Sequence, residues 1–219
     1  MPVYQLTEEL IFPHPSLAES DGLLAIGGDL STERLILAYK NGIFPWYNED
    51  EPILWFAPNP RFVLFPEKLK VSKSMKQLIN KNEYHITLNQ SFKNVIGNCK
   101  KVKRKNQNGT WITNDMEKAY IKLHKKGMAH SVEVWNKKEE LVGGLYGVNL
   151  GTVFFGESMF HKENNTSKLA LIHLGTKFDF SIIDCQVYTK HLASLGAENI
   201  PFNSFYAKIV KETEKQSVF

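Results

Sequence analysis

The sequence lacks paired cysteines, long apolar runs and a strong net charge. Its two cysteines, Cys99 and Cys185, lie far apart in the chain, which argues against a disulfide framework or a zinc site and favours a reducing compartment. No segment approaches the roughly 20 continuous apolar residues that span a bilayer, and the first residues do not have the pattern of an export signal. We therefore expect a cytoplasmic protein without membrane attachment.

The composition is that of an ordinary folded protein, without internal repeats or low-complexity segments. The chain has 219 residues, of which 42% are hydrophobic, so it can bury one large core or two modest ones. The net charge of +4 permits binding to a nucleic acid without requiring it. Proline, glycine and aromatic residues are concentrated in the first third, which predicts a small, loop-rich N-terminal domain over residues 1–59 and a second domain over residues 60–219.

Capping signals and periodicity predict the secondary structure. A helix over residues 31–41 should begin after the N-cap Ser31 and end at Gly42. Apolar residues at helical spacing predict three further helices, around residues 75–79, 92–99 and 116–123. Strands are predicted at 131–135, 141–148, 152–159 and 182–185, with a helix over 166–178 and a terminal helix from about 203 that leads into a solvated tail. This element order indicates an α/β (α+β) fold.

Two features are typical of nucleic-acid binding. The first is a basic stretch formed by Lys100, Lys101, Lys103, Arg104 and Lys105, since clustered cations neutralise phosphates. A solvated surface loop is the ordinary alternative for such a charge run. The second is the pair Trp46 and Trp111, which follow proline and glycine-threonine and could stack on unpaired bases. Most other aromatic residues of the sequence are expected in the core.

Polar residues near the ends of two apolar strands predict a shared site. Glu157 lies in one strand, and Asp184 and Gln186 lie in the other; buried carboxylates and amides need a partner or a function. Strict alternation would place Phe155, Glu157 and Met159 on one face of their strand. Two neighbouring residues are interpreted conservatively. Cys185 is taken as a packed apolar residue rather than a nucleophile, and His191 as a structural histidine rather than a base.

Across nearly its whole length the chain resembles the leucyl/phenylalanyl-tRNA–protein transferases of the bacterial N-end rule pathway. No single motif is specific, but their ordered succession is. The motifs are DGLLAIGGDL (21–30), AYKNGIFPW (38–46), WFAPNPR (55–61), GTWIT (109–113), HSVEVW (130–135), LVGGLYG (141–147), FFGESMF (154–160), IDCQ (183–186) and ASLGA (193–197).

The resemblance implies a small N-terminal domain and an N-acetyltransferase-like C-terminal domain with a central mixed sheet. It implies transfer of Leu, Phe or, less readily, Met from aminoacyl-tRNA to proteins that begin with Arg or Lys, marking them for degradation. Because the donor ester is already activated, no cofactor or metal is expected. The implied site residues are Tyr39, Trp46 and Trp111 around the terminal adenosine, Leu145, Phe154 and Met159 around the transferred side chain, and Glu157, Asp184 and Gln186 around the reacting centre.

Two rival functions remain open at the level of sequence. An N-acyltransferase that uses acetyl-coenzyme A would have the same fold, but it needs a glycine-rich cradle for the pyrophosphate. The segment HKENNT (161–166) contains no glycine, which weighs against coenzyme A. A non-catalytic RNA-binding module would use the basic stretch and the aromatic residues, but it leaves Glu157, Asp184 and Gln186 unexplained.

Overall fold

The computed structural model describes residues 3–102 and 112–219, which form two sheets and seven α-helices. The strands are β1 (Tyr4–Leu6), β2 (Leu23–Gly27), β3 (Phe44–Pro45), β4 (Leu54–Phe56), β5 (Arg61–Leu64), β6 (Tyr84–Leu88), β7 (Ala129–Asn136), β8 (Leu141–Leu150), β9 (Val153–His161), β10 (Ile182–Gln186) and β11 (Glu198–Ile200). The helices are α1 (Thr32–Lys40), α2 (Lys73–Asn80), α3 (Phe92–Lys101), α4 (Asn114–Lys125), α5 (Thr166–Lys177), α6 (Lys190–Ala193) and α7 (Phe202–Glu212).

The N-terminal part consists of a four-stranded sheet and α1. Its strand order is β1-β2-β4-β3, with β1 and β2 parallel and the other pairs antiparallel. The Ser31 side chain caps α1 by accepting from the Arg34 amide, and Gly42 has a φ of +70° where the chain leaves the helix. The predicted helix and both of its end signals are therefore confirmed.

The central sheet has seven strands in the order β11-β5-β10-β9-β8-β7-β6. All neighbours are antiparallel except β9 and β10, which run parallel. Helices α3 and α4 contribute to the hydrophobic core on one face, and α5 to the core on the other. The predicted mixed α/β fold is thus confirmed, whereas the division into two domains after residue 59 stays a prediction.

Two bulges make β9 and β10 diverge after a short paired stretch, and the candidate site lies where they diverge. The two strands pair only as far as Phe155 and Asp184. Beyond that point, the register of β9 against β8 shifts at Glu157, and the register of β10 against β5 shifts at Cys185. A bulge adds an unpaired residue and bends its strand. The strands therefore diverge, and a gap opens in the middle of the sheet.

The structure corrects two sequence-based expectations. Alternation predicted Met159 on the same face as Glu157, but Met159 packs with the core cluster that contains Phe154, because the bulge at Glu157 shifts the alternation by one residue. The tail after α7 is solvated over residues 214–217, as expected, but its end packs back onto the protein. The Phe219 ring stacks on His130 at 3.9 Å and on Phe178 at 4.4 Å between ring centres.

Candidate active site

A cavity of about 850 Å³ occupies the gap between β9 and β10. One wall of the cavity is apolar, and polar side chains from both strands meet on another. The N-terminal part closes a third side through Phe44, Pro45 and Trp46. The strands and α5 contribute most of the remaining lining, which includes Leu145, Phe154, Glu157, Ser158, Met159, Leu171, Ile183, Asp184, Cys185, Gln186, His191 and Leu192.

The apolar wall contains all three residues predicted for the transferred side chain. Leu145 and Phe154 are almost fully buried, and Met159 pairs with Leu145 across β8 and β9. Leu171 of α5 and Ile183 of β10 complete this wall. Its side chains offer contact surface without hydrogen bonds, so it suits an aliphatic or aromatic apolar group.

Glu157 is the buried carboxyl group of the site, and three side chains donate hydrogen bonds to it. Its Oε1 accepts from the Tyr39 hydroxyl at 2.8 Å and from Gln186 Nε2 at 2.9 Å, and its Oε2 accepts from the Tyr120 hydroxyl at 2.8 Å. Burial raises the pKa of Glu157 to about 7, with a further contribution from Asp184, although the three donors act in the opposite direction. Glu157 therefore exchanges its proton near neutrality.

Tyr39 and Tyr120 form a pair behind Glu157. Their hydroxyl oxygens lie in contact with each other, but each hydroxyl has a single hydrogen, which it donates to Glu157. Both rings are fully buried. Burial, followed by the charge of Glu157, raises the pKa of both tyrosines well above the usual value, so that both stay protonated and donate to the carboxyl group. Tyr39 is placed here by α1, and it is not among the residues that line the cavity.

Asp184 has no free oxygen within the described structure. Arg61 of β5 donates to it from Nε at 2.8 Å and from Nη2 at 2.6 Å, and both side chains are fully buried. The backbone amide of Gln186 donates to Asp184 Oδ1 at 2.9 Å. A bidentate arginine pair of this kind fixes the orientation of the carboxylate. Asp184 thus faces the protein interior more than the cavity.

Gln186 occupies a tight turn at the end of β10. Its φ is +63°, and the Val187 amide donates to the Cys185 carbonyl at 2.7 Å, which closes a three-residue turn. This backbone conformation costs a non-glycine residue about 1–3 kcal/mol, so the surrounding contacts have to hold Gln186 there. The turn directs the side-chain amide of Gln186 towards Glu157, and Gln186 lines the cavity.

The other predicted residues are distributed unevenly. Trp46 lies at the cavity wall, and Lys101 lies at the end of α3 beside the same cavity. Lys100 is bound by Glu117 at 3.0 Å and by Asn114 at 2.7 Å, so part of its charge is neutralised. Four predicted residues lie outside the described residues, namely Lys103, Arg104, Lys105 and Trp111.

Cys185 and His191 both line the cavity. Burial, and then the charge of Asp184, raises the pKa of the Cys185 thiol well above its usual value, and a thiol in this state is a poor nucleophile. Burial lowers the pKa of His191, with the nearby Lys168 and His161 acting in the same direction. These values favour the conservative interpretations of both residues.

Sequence reasoning missed Arg61 and Tyr120. Arg61 begins an otherwise apolar strand, and a charged residue in such a run signals a buried partner; its partner Asp184 is 123 residues away. Tyr120 lies in the helix predicted around residues 116–123, where it counts as one of the apolar residues at helical spacing, so its hydroxyl group gives no separate signal. Within residues 3–102 and 112–219, no group of three or more His, Cys, Asp or Glu side chains could hold a metal ion. The same residues include no helix long and apolar enough to cross a membrane.

Two family models match the chain. One is described as leucyl/phenylalanyl-tRNA protein transferase and matches residues 63–210; the other is described as the N-terminal domain of that transferase and matches residues 28–59.

Curated relatives that bear the same name match almost end to end. The protein of Flavobacterium johnsoniae is 56% identical over 93% of this chain and 97% of its own length. The protein of Syntrophus aciditrophicus is 53% identical over 100% of this chain and 92% of its own. A solved structure of L-PGS from Bacillus licheniformis has a TM-score of 0.38 at 13% identity, over 85% of this chain and 64% of that chain. A likeness that weak carries no conclusion.

Proposed function

The chain belongs to the leucyl/phenylalanyl-tRNA–protein transferase family, and from this premise we propose that it moves Leu, Phe and, less readily, Met from aminoacyl-tRNA to the α-amine of proteins that begin with Arg or Lys. Its relatives over nearly the full length carry the name of this transferase. The product would be a protein marked for degradation in the cytoplasm, where charged tRNA is found.

The observation that carries the proposal is the cavity that joins an apolar wall to Glu157 and Gln186. The apolar side chain of the donor would contact Leu145, Phe154 and Met159, which places its ester beside the polar wall. The cavity, at about 850 Å³, is within the range of pockets that bury a drug-sized ligand. It therefore has room for the aminoacyl group together with the attacking amine.

The reaction requires one bond to form, one to break and one proton to move. The acceptor nitrogen attacks the ester carbonyl, the new C–N bond forms, and the bond from the carbonyl carbon to the ribose oxygen breaks. Glu157, with its pKa of about 7, accepts the proton from the amine and returns it to the leaving oxygen. Gln186 donates to Glu157 through Nε2, which leaves its amide oxygen as an acceptor for the amine.

Positioning supplies much of the remaining acceleration, because the ester is activated before it binds. We assign Glu157, Asp184 and Gln186 to the reacting centre. Trp46 and Trp111 would stack on the terminal adenosine. Tyr39 would act indirectly, through its hydrogen bond to Glu157. The carboxylate of Glu157 also suits a basic acceptor residue. The basic stretch from Lys100 to Lys105 would bind the tRNA backbone without reading its sequence, so that several tRNAs are accepted.

The test is transfer of radiolabelled leucine from leucyl-tRNA to a peptide that begins with Arg, without ATP or coenzyme A. A peptide of the same sequence that begins with Ala is the control. Labelling of the Arg peptide alone is the expected result. Binding of leucyl-tRNA without transfer to either peptide would contradict the proposal and would favour the RNA-binding module.

A further inference from the structure

Arg61 lies outside the cavity lining, and two aromatic rings flank its guanidinium group. The guanidinium carbon lies 4.7 Å from the centre of the Phe44 ring and 4.8 Å from that of the Phe205 ring. Phe44 belongs to the N-terminal sheet and Phe205 to α7. Stacking between two rings fixes the plane of an arginine, an arrangement that a lysine cannot reproduce.

The fixed plane of Arg61 determines where Asp184 can lie. Two parallel donors hold the two carboxylate oxygens, so the carboxylate cannot rotate without giving up one of these hydrogen bonds. Asp184 Oδ1 also accepts a hydrogen bond from the backbone amide of Gln186. The chain of contacts therefore runs from Arg61 through Asp184 to the strained turn at Gln186, and from the Gln186 side chain to Glu157.

We propose that Arg61 is a positioning residue for aminoacyl transfer, acting with Asp184 to hold the Gln186 turn, and that Asp184 does not accept the proton of the amine. The proposal rests on the proposed function and assigns roles within the same site. Asp184 is ion-paired on both oxygens, whereas Glu157 accepts only from neutral donors. Proton transfer therefore falls to Glu157, and the Arg61–Asp184 pair supplies geometry.

The first test is kinetic. Arg61→Lys should lower kcat for leucine transfer by about 100-fold, since a displaced reacting group costs that order of rate, while KM for leucyl-tRNA changes by less than about threefold. Asp184→Asn, which keeps the shape of the side chain, should lower the plateau of the pH–rate profile and leave its acidic limb in place. Loss of the acidic limb in Asp184→Asn would identify Asp184 as the proton acceptor and overturn the proposal.

The matched control is Arg34→Lys. Arg34 is equally buried, and it donates to the Thr7 and Glu8 carbonyls and pairs with Asp29 in the N-terminal part. The Arg34→Lys protein should be less stable and keep its kcat. The double variant Arg61→Lys/Asp184→Asn should be no slower than the slower single variant, because both act through one turn. Additive losses, or wild-type kcat in a folded Arg61→Lys protein, would overturn the proposal.

A second readout does not depend on activity. Hydrogen exchange at the backbone amide of Gln186 should be faster in Arg61→Lys and in Asp184→Asn than in the wild type. It should be unchanged in Arg34→Lys. Unchanged exchange at this amide in both variants would overturn the positioning role. If the wild-type protein transferred no leucine, the proposed function would fail, and the exchange measurement would still decide whether Arg61 holds the turn.

Discussion

At the scale of single residues, the proposed chemistry depends on the protonation of Glu157. Its neighbours are Tyr39 from α1, Tyr120 from α4, and Gln186 and Asp184 from β10. With a pKa of about 7, it is mostly protonated at pH 6 and mostly ionised at pH 8. We expect the transfer rate to rise with pH through this range and Glu157→Gln to be at least about 100-fold slower, without that limb. The check is the pH dependence of single-turnover leucine transfer.

The acceptor amine also titrates, with an ordinary pKa of about 8, and the two limbs can be separated. Acceptor peptides whose α-amines differ in pKa should move one limb and leave the limb of Glu157 in place.

The pH dependence of stability gives an independent check on the pKa of Glu157. Because the folded protein holds this proton above the ordinary pKa of 4.5, the free energy of unfolding should fall as the pH rises from 4.5 to about 7. A wild-type slope retained in Glu157→Gln would contradict the assignment.

Leu145 should set the choice among apolar donors. Leu145→Ala enlarges the apolar part of the cavity, so transfer of Leu should fall relative to Phe by at least about tenfold, the lower end of what one methylene group is worth in a pocket. The measurement is competition between leucyl-tRNA and phenylalanyl-tRNA for one peptide. Leu174→Ala is the control, because Leu174 is buried in the same cluster and does not line the cavity. An unchanged ratio in Leu145→Ala would place the selective contact elsewhere.

At the scale of elements, the gap between β9 and β10 depends on close packing beneath the bulge. A Cβ on Gly147 of β8 would lie 2.2 Å from the Phe155 carbonyl oxygen and 2.6 Å from the Phe154 ring. Gly147→Ala should therefore lower the free energy of unfolding by about 1–3 kcal/mol and reduce transfer. Gly97→Ala in α3 is the control; its Cβ would meet nothing within 4 Å, and it should stabilise by about 0.5–1 kcal/mol. Denaturant unfolding distinguishes the two, and equal effects would exclude the packing argument.

The sequence predicted those elements whose signals are local. Helix α1 has its own cap and stop signals, and α3 buries Phe92, Val95, Ile96 and Cys99, the apolar residues whose spacing predicts it. The short strands β5 and β11 were not predicted, because each is specified by pairing with distant residues. The site followed the same rule. Glu157, Asp184 and Gln186 stood out as polar residues in apolar strands, but the bulge and the Arg61 pair exist only in the folded sheet.

At the scale of the whole molecule, charge decides how a large polyanion approaches. The net charge is only +4, so affinity for tRNA should come from a local patch rather than from the overall field. Lys101 lies beside the cavity, and the sequence continues with Lys103 and Lys105. Lys100 contributes less, since Glu117 already binds it. Lys101 is therefore expected to contact the tRNA near its 3′ end, while Lys103 and Lys105 are candidates from the sequence alone.

The triple substitution Lys101→Gln, Lys103→Gln and Lys105→Gln tests this patch. Removing one lysine–phosphate ion pair should reduce the slope of log affinity against log salt by about 0.7–0.9, so the triple variant should bind leucyl-tRNA more weakly at low salt and depend less on salt. The control replaces Lys208, Lys211 and Lys215, which lie in and after α7 and do not line the cavity. Filter binding at several salt concentrations gives both slopes. If the slope fell equally in the two triple variants, tRNA would be responding to total charge, and the basic stretch would be an ordinary solvated surface.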